Sequence, residues 1–103
     1  MANAKTTAQN LINENGVVVF SKSYCPYCVA SKRFLEKLGA EFKVLELDQT
    51  PDGQAIQDAL QEITSQRTVP NIFIGQKHIG GNSDLQSQNP AQLKKMLTDA
   101  GAL

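Results

Sequence analysis

A chain of 103 residues and 11.2 kDa, 41% hydrophobic and 19% charged, has the make-up of one ordinary globular domain, expected to span residues 1–103. Ten Lys+Arg balance ten Asp+Glu without charge runs, so no field gathers nucleic acid or anionic lipid over the surface. The longest run of large apolar residues, Val17 to Phe20, is far short of the ~18 that span a bilayer, and the first fifteen residues show no secretory or transit segment; neither a nucleic-acid nor a membrane partner is expected, and the location is expected to be cytoplasmic.

Ala4, Ala8, Leu11 and Ile12 recur at helical spacing after Asn3, and Gly16 follows Asn15 as a stop, so residues 4–15 read as an amphipathic helix. Val17 to Phe20 is a continuous, mostly β-branched apolar run, the pattern of a central strand covered on both faces. Residues 21–26 break the pattern. Tyr27, Ala30, Phe34, Leu35 and Leu38 then mark a second helix that opens on Pro26, where a missing N–H costs nothing, and closes before Gly39. The imperfect alternation of residues 41–47 predicts a second strand, and residues 48–53 carry turn chemistry with Thr50 as a candidate cap. Ile56, Ala59, Leu60 and Ile63 mark a third helix ending near Thr64. Residues 71–74 and 77–79 flank Gly75-Gln76, which suits a tight two-residue hairpin. After Gly80-Gly81 a short helical turn follows Ser83, and Asn89-Pro90 caps a last helix with Leu93, Met96, Leu97 and Ala100 as its stripe. The order αβαβαββα predicts an α/β fold, a four-stranded mixed sheet with helices on both faces.

The cysteines are Cys25 and Cys28, and two thiols make no disulfide framework. They open the crossover helix just beyond the carboxyl end of the first strand, where open α/β sheets present their chemistry. A thiolate is the attacking species, and free N–H groups and the positive dipole end of a helix stabilise it. Cys25 occupies that position, and Lys22 in the approach loop is a candidate cation acting in the same direction. Cys28, one turn on, is placed to be the less accessible resolving thiol. Two other readings compete, a pair of inert core cysteines and a zinc half-site. The latter lacks ligands, since His78 is far away and reads as a surface strand residue.

Ser23-Tyr24-Cys25-Pro26-Tyr27-Cys28 resembles the active-site signature of dithiol glutaredoxins, and Thr68-Val69-Pro70 and Gly80-Gly81-Asn82-Ser83-Asp84 resemble two further motifs of that family, in order and at the right spacing. The resemblance covers nearly the whole chain. Thioredoxin is disfavoured, because the chain has no Trp and carries Pro26-Tyr27 between its cysteines. Residues 66–71 and 80–85 look like the fungal, yeast-type cytosolic members.

This resemblance implies a thioredoxin-like fold, a cis Val69-Pro70 bond, and a glutathione-dependent thiol–disulfide oxidoreductase acting on protein–glutathione mixed disulfides and dithiol disulfides. It implies that Lys22 and Gln57 hold the glycine carboxylate of glutathione, that Val69, with Thr68 and Pro70, pairs with the cysteinyl backbone, and that Ser83 and Asp84 hold the γ-glutamyl end. Tyr27 is expected either to wall the groove or to pack on its helix. Glutathione is then a cosubstrate, no cofactor is tightly bound, glutathione reductase supports the cycle indirectly, and the chain is monomeric. A different class of function, a cluster carrier in which two chains share an iron–sulfur cluster through Cys25 and glutathione thiolates, is the alternative; Pro26 stiffens the loop against it.

Overall fold

The structure, a computed structural model, describes residues 3–103. Its helices are α1 (Ala4–Glu14), α2 (Pro26–Lys37), α3 (Gly53–Thr64), α4 (Asn82–Gln86) and α5 (Pro90–Asp99), and its strands β1 (Val17–Ser21), β2 (Lys43–Glu46), β3 (Asn71–Ile74) and β4 (Lys77–Gly80). The strands form one mixed sheet in the order β2-β1-β3-β4. β1 pairs parallel with β2 and antiparallel with β3, and β3 pairs antiparallel with β4. Among the described residues no helix is long and apolar enough to cross a membrane.

Every residue of β1 is buried, as a central strand requires. Because side chains alternate along a strand, Val17 and Val19 enter one core and Val18 and Phe20 the other. The first core joins Leu35 of α2, Leu85 of α4 and Leu93 and Leu97 of α5 to Ile72 and Ile74. The second joins Ala8 and Ile12 of α1 and Ile56 and Leu60 of α3 to Phe73, whose ring meets Phe20 edge-on at 5.9 Å between centroids. The two layers hold β1 rigidly from both sides, and the loop that follows it inherits that fixed starting point.

The expected elements are present with three differences. Leu47, expected at the end of β2, instead opens a 3₁₀ turn at Leu47–Gln49. Thr50 does not cap α3, since its hydroxyl donates to the Glu46 carbonyl. The helix starts three residues later at Gly53, where a Cβ would stand 1.8 Å from the Leu47 carbonyl oxygen, so the 3₁₀ turn and α3 pack at backbone contact. The third difference is that the helical turn expected after Ser83 is α4, which begins at Asn82.

The hairpin turn is as tight as expected, with Gly75 and Gln76 both left-handed at φ 56° and 67°, the geometry that matches strand twist. At α5 the Asn89 side chain accepts from the Ala91 and Gln92 N–H groups, with Pro90 in the first turn.

Candidate active site

Cys25 is the N-cap residue of α2, extended at φ −82°, ψ 119°, with Pro26 next in the chain. Its own N–H donates to the Lys22 carbonyl at 3.0 Å, closing the loop behind it. That loop is pinned from outside, because Asp48 of the 3₁₀ turn accepts from the Ser23 N–H at 2.9 Å and from the Ser23 hydroxyl. The Ser23 hydroxyl first, and then its N–H, hold the Asp48 carboxyl below the usual carboxylate range. The turn that follows β2 thus positions the loop that carries Cys25.

Partial burial pushes the Cys25 thiol up, but it is outweighed by the Cys28 N–H and thiol, the Tyr27 N–H and the Lys32 ammonium, so its pKa lies below the ordinary value. The cation that acts on Cys25 is therefore Lys32. The charge of Lys22, expected in that role, falls on Asp48 instead. Cys28 is fully buried, and burial pushes its thiol up, with Cys25 adding to the rise against the Lys22 backbone and the Ser21 hydroxyl. Both thiols are free. One cysteine is prepared as a thiolate and its neighbour as a thiol that donates to it. The inert-pair reading does not fit that polarity.

The Cys25 sulfur lies 3.9 Å from the Val69 carbonyl oxygen, and the Val69-Pro70 bond is cis as expected. On one side a groove of about 550 Å³ is lined by Tyr27, Thr68, Val69, Pro70, Ser83 and Asp84. On the other, a cavity of about 260 Å³ has Lys22, Gln57 and Arg67 on its walls. The residues that the resemblance singled out beside the cysteines thus fall in two separate hollows, Lys22 and Gln57 in one and Tyr27, Thr68, Val69, Pro70, Ser83 and Asp84 in the other, and neither cysteine lines either of them. Tyr27 is 67% exposed and lines the groove, so it does not pack on its helix, and Tyr24 is 71% exposed on the opposite flank.

Several polar atoms in these grooves are already committed. The Gln57 amide donates one N–H to the Arg67 carbonyl at 2.8 Å, which leaves its second N–H to donate to a ligand. One Asp84 oxygen accepts from the Gly81 N–H at 2.8 Å, and Gly80, at φ 120°, has no room for a Cβ against that carboxylate. The side chain of Asn82 ties α4 to α2, accepting from the buried Ser31 hydroxyl at 2.8 Å. Gln66 and Arg67 were missed by the sequence reading. The Gln66 amide donates to the Thr68 and Pro70 carbonyls at 3.0 Å each and holds the cis segment in place. Both stood in the segment 66–71 compared with yeast-type members, and neither was given a role there. His78 stacks against Phe73 at 5.2 Å and lies outside the site, and among the described residues no three His, Cys, Asp or Glu side chains converge as metal ligands.

The glutaredoxin family model matches residues 17–79. A glutaredoxin of Ricinus communis is 54% identical over 97% of this chain and 99% of its own, and one of Vernicia fordii 52% identical over 97% of each. The crystal structure of a buckwheat glutaredoxin–glutathione complex superposes with a TM-score of 0.94, at 50% identity over 97% of this chain and 92% of that one. The chain belongs to the glutaredoxin family, the glutathione-dependent thiol–disulfide oxidoreductases, and has its thioredoxin-like fold. The expected kinship with fungal, yeast-type members is not supported, because these relatives are plant proteins.

Proposed function

We propose that this glutaredoxin reduces protein–glutathione mixed disulfides with Cys25 as nucleophile, and protein disulfides with Cys28 as resolving thiol. The observation that carries this is the opposite polarity of the two thiols at one helix start, an accessible one made more acidic and a buried one made less so. The Cys25 thiolate attacks the glutathione sulfur, forming a Cys25–glutathione disulfide and expelling the substrate thiolate, which takes up a proton. A second glutathione thiolate attacks the glutathione sulfur of that adduct, releasing glutathione disulfide and restoring the Cys25 thiolate. When the substrate is a protein disulfide, Cys28 attacks the Cys25 sulfur of the mixed disulfide and releases the protein thiol, leaving a Cys25–Cys28 bond.

An extended tripeptide spans about 10 Å, a length suited to lying across Val69 with one end in each groove. Lys22 and Gln57, joined by Arg67, receive the glycine carboxylate, and the Val69 N–H and C=O pair with the cysteinyl backbone. Thr68, Pro70 and Tyr27 wall the path. The free N–H groups at the start of α4 receive the γ-glutamyl carboxylate, and the second oxygen of Asp84 its ammonium. The glutathione complex of the buckwheat relative supports glutathione as the ligand. Glutathione is the cosubstrate, no cofactor is tightly bound, and glutathione reductase recycles the product. One chain supplies both grooves and both thiols, which supports a monomer acting as one domain. A glutathione-buffered cytoplasm is the compartment proposed.

Turnover of a glutathionylated peptide, coupled to glutathione reductase, tests the assignment for wild type, Cys25→Ser and Cys28→Ser side by side. Wild type and Cys28→Ser are expected to turn over and Cys25→Ser to be inactive. A Cys28→Ser variant without activity on the mixed disulfide would overturn the division of roles.

A further inference from the structure

Beneath the first two turns of α2, on the face of the sheet that carries the first, apolar core, lies a polar cluster that the mechanism above does not use. Lys32 lies seven residues after Cys25 and four after Cys28, on the same side of α2, and helical side chains lean back toward the N-terminus. Its ammonium meets Glu46, the last residue of β2, at 2.8 Å, with the two side chains only 19% and 23% exposed. In the parallel register Glu46 sits opposite Ser21, the last residue of β1. Ser21 is fully buried with its hydroxyl against the Cys28 sulfur, and the second carboxylate oxygen of Glu46 is buried without a hydrogen-bond partner among the described residues.

A half-buried ion pair contributes little net stability, and an unpartnered buried carboxylate oxygen costs stability. Leucine and methionine would fill the same space under α2 more favourably. What the pair does supply is a fixed cation behind the cysteines, with an anion that cancels part of it. The Lys32 charge reaches Cys25, lowering its pKa.

We propose that the Lys32–Glu46 ion pair, seated under the start of α2, is an electrostatic regulator of the cysteine pair, in which Glu46 sets how much of the Lys32 charge Cys25 feels. Both are positioning residues, since neither touches the substrate. Glu46 holds Lys32 toward β2 and attenuates it, so that Cys25 is made more acidic than an ordinary thiol yet stays basic enough to be a strong nucleophile. A thiolate loses nucleophilicity as its pKa falls, so an intermediate value serves turnover best. The charged or titratable groups facing the pair of thiols are Lys32 from α2, Glu46 from β2 and Lys22 from the β1–α2 loop, with Asp48 set against Lys22.

The inference rests on the reading of Cys25 as the acidic nucleophile, and its test separates the two. The rate of Cys25 alkylation by iodoacetamide against pH is measured at low ionic strength in a Cys28→Ser background. Glu46→Gln, Lys32→Met, Lys32→Arg and the double Lys32→Met/Glu46→Gln variant are compared with that parent. Glu46→Gln unmasks Lys32 and is expected to lower the midpoint, and Lys32→Met leaves Glu46 uncompensated and is expected to raise it. Each shift is expected to be about 0.5 of a pH unit, the order that one screened unit charge gives near a protein surface. Lys32→Arg keeps the parental value, and the double variant falls back from Lys32→Met toward it. A loosened helix would move all variants the same way, so opposite signs distinguish regulation from damage. Unshifted midpoints, or shifts of one sign, in folded variants overturn the inference. An ordinary thiol midpoint in the parent would instead overturn the reading beneath it.

Discussion

The mouth and the floor of the α2 start hold the same side chain three residues apart in opposite states. At the mouth Cys25 faces the N–H groups of Tyr27 and Cys28; at the floor Cys28 is fully buried in the core. Burial is the largest influence on both thiols and raises both. What separates them is the direction of the donors. The free N–H groups of the first turn point out at Cys25, whereas Cys28 must share its surroundings with the negative charge that Cys25 develops. A helix start can therefore differentiate two identical residues through position alone.

The largest expected break in this comparison is Cys25→Ser, which should lower turnover of a glutathionylated peptide by about 10³-fold or more. Cys28→Ser should keep or raise it, because removing the floor thiol closes the side path to the intramolecular disulfide. Smaller effects belong to the flanks. Lys22→Ala and Asp84→Asn should each raise KM for a glutathione mixed disulfide by about 5–10-fold, the loss of one charge-assisted hydrogen bond. A KM unchanged in both would remove the two-ended placement of glutathione.

The smallest and most diagnostic effect is the pH dependence of stability, measured as Tm under reducing conditions. Cys25 has a depressed folded pKa, so its contribution is full above the ordinary thiol pKa of about 8.5 and is lost as pH falls through the folded value. Cys28 has a raised folded pKa, so its contribution is full below about 8.5 and is lost as pH rises through its folded value. Wild type should therefore gain on Cys25→Ser as pH climbs toward 8.5 and lose ground to Cys28→Ser above it. Parallel Tm curves for all three proteins would mean that the two thiols are not differentiated.

The sequence carried the fold and the reacting residues because both are written locally. The all-apolar run of residues 17–20, the Pro26 helix start, the Gly75-Gln76 turn and the Asn89-Pro90 cap each specify their element within a few residues. What it did not show are contacts made by folding. Asp48 reaches Ser23 across 25 positions, Lys32 reaches Glu46 across 14, and Ser31 reaches Asn82 across 51. Thr50 had the composition of a cap, and the close approach of Gly53 to Leu47 moved the helix start past it. Lys22 was nearest Cys25 along the chain, yet the helix brings Lys32 into play by its side-chain direction.

The sheet closes on β2 and β4, each four residues long and each opening on a lysine, Lys43 and Lys77. Such edges offer a stray chain too few unpaired backbone groups, and too much charge, to be extended as a template. A thiol–disulfide oxidoreductase that is joined to a substrate chain through one sulfur thus offers that chain no strand edge to extend.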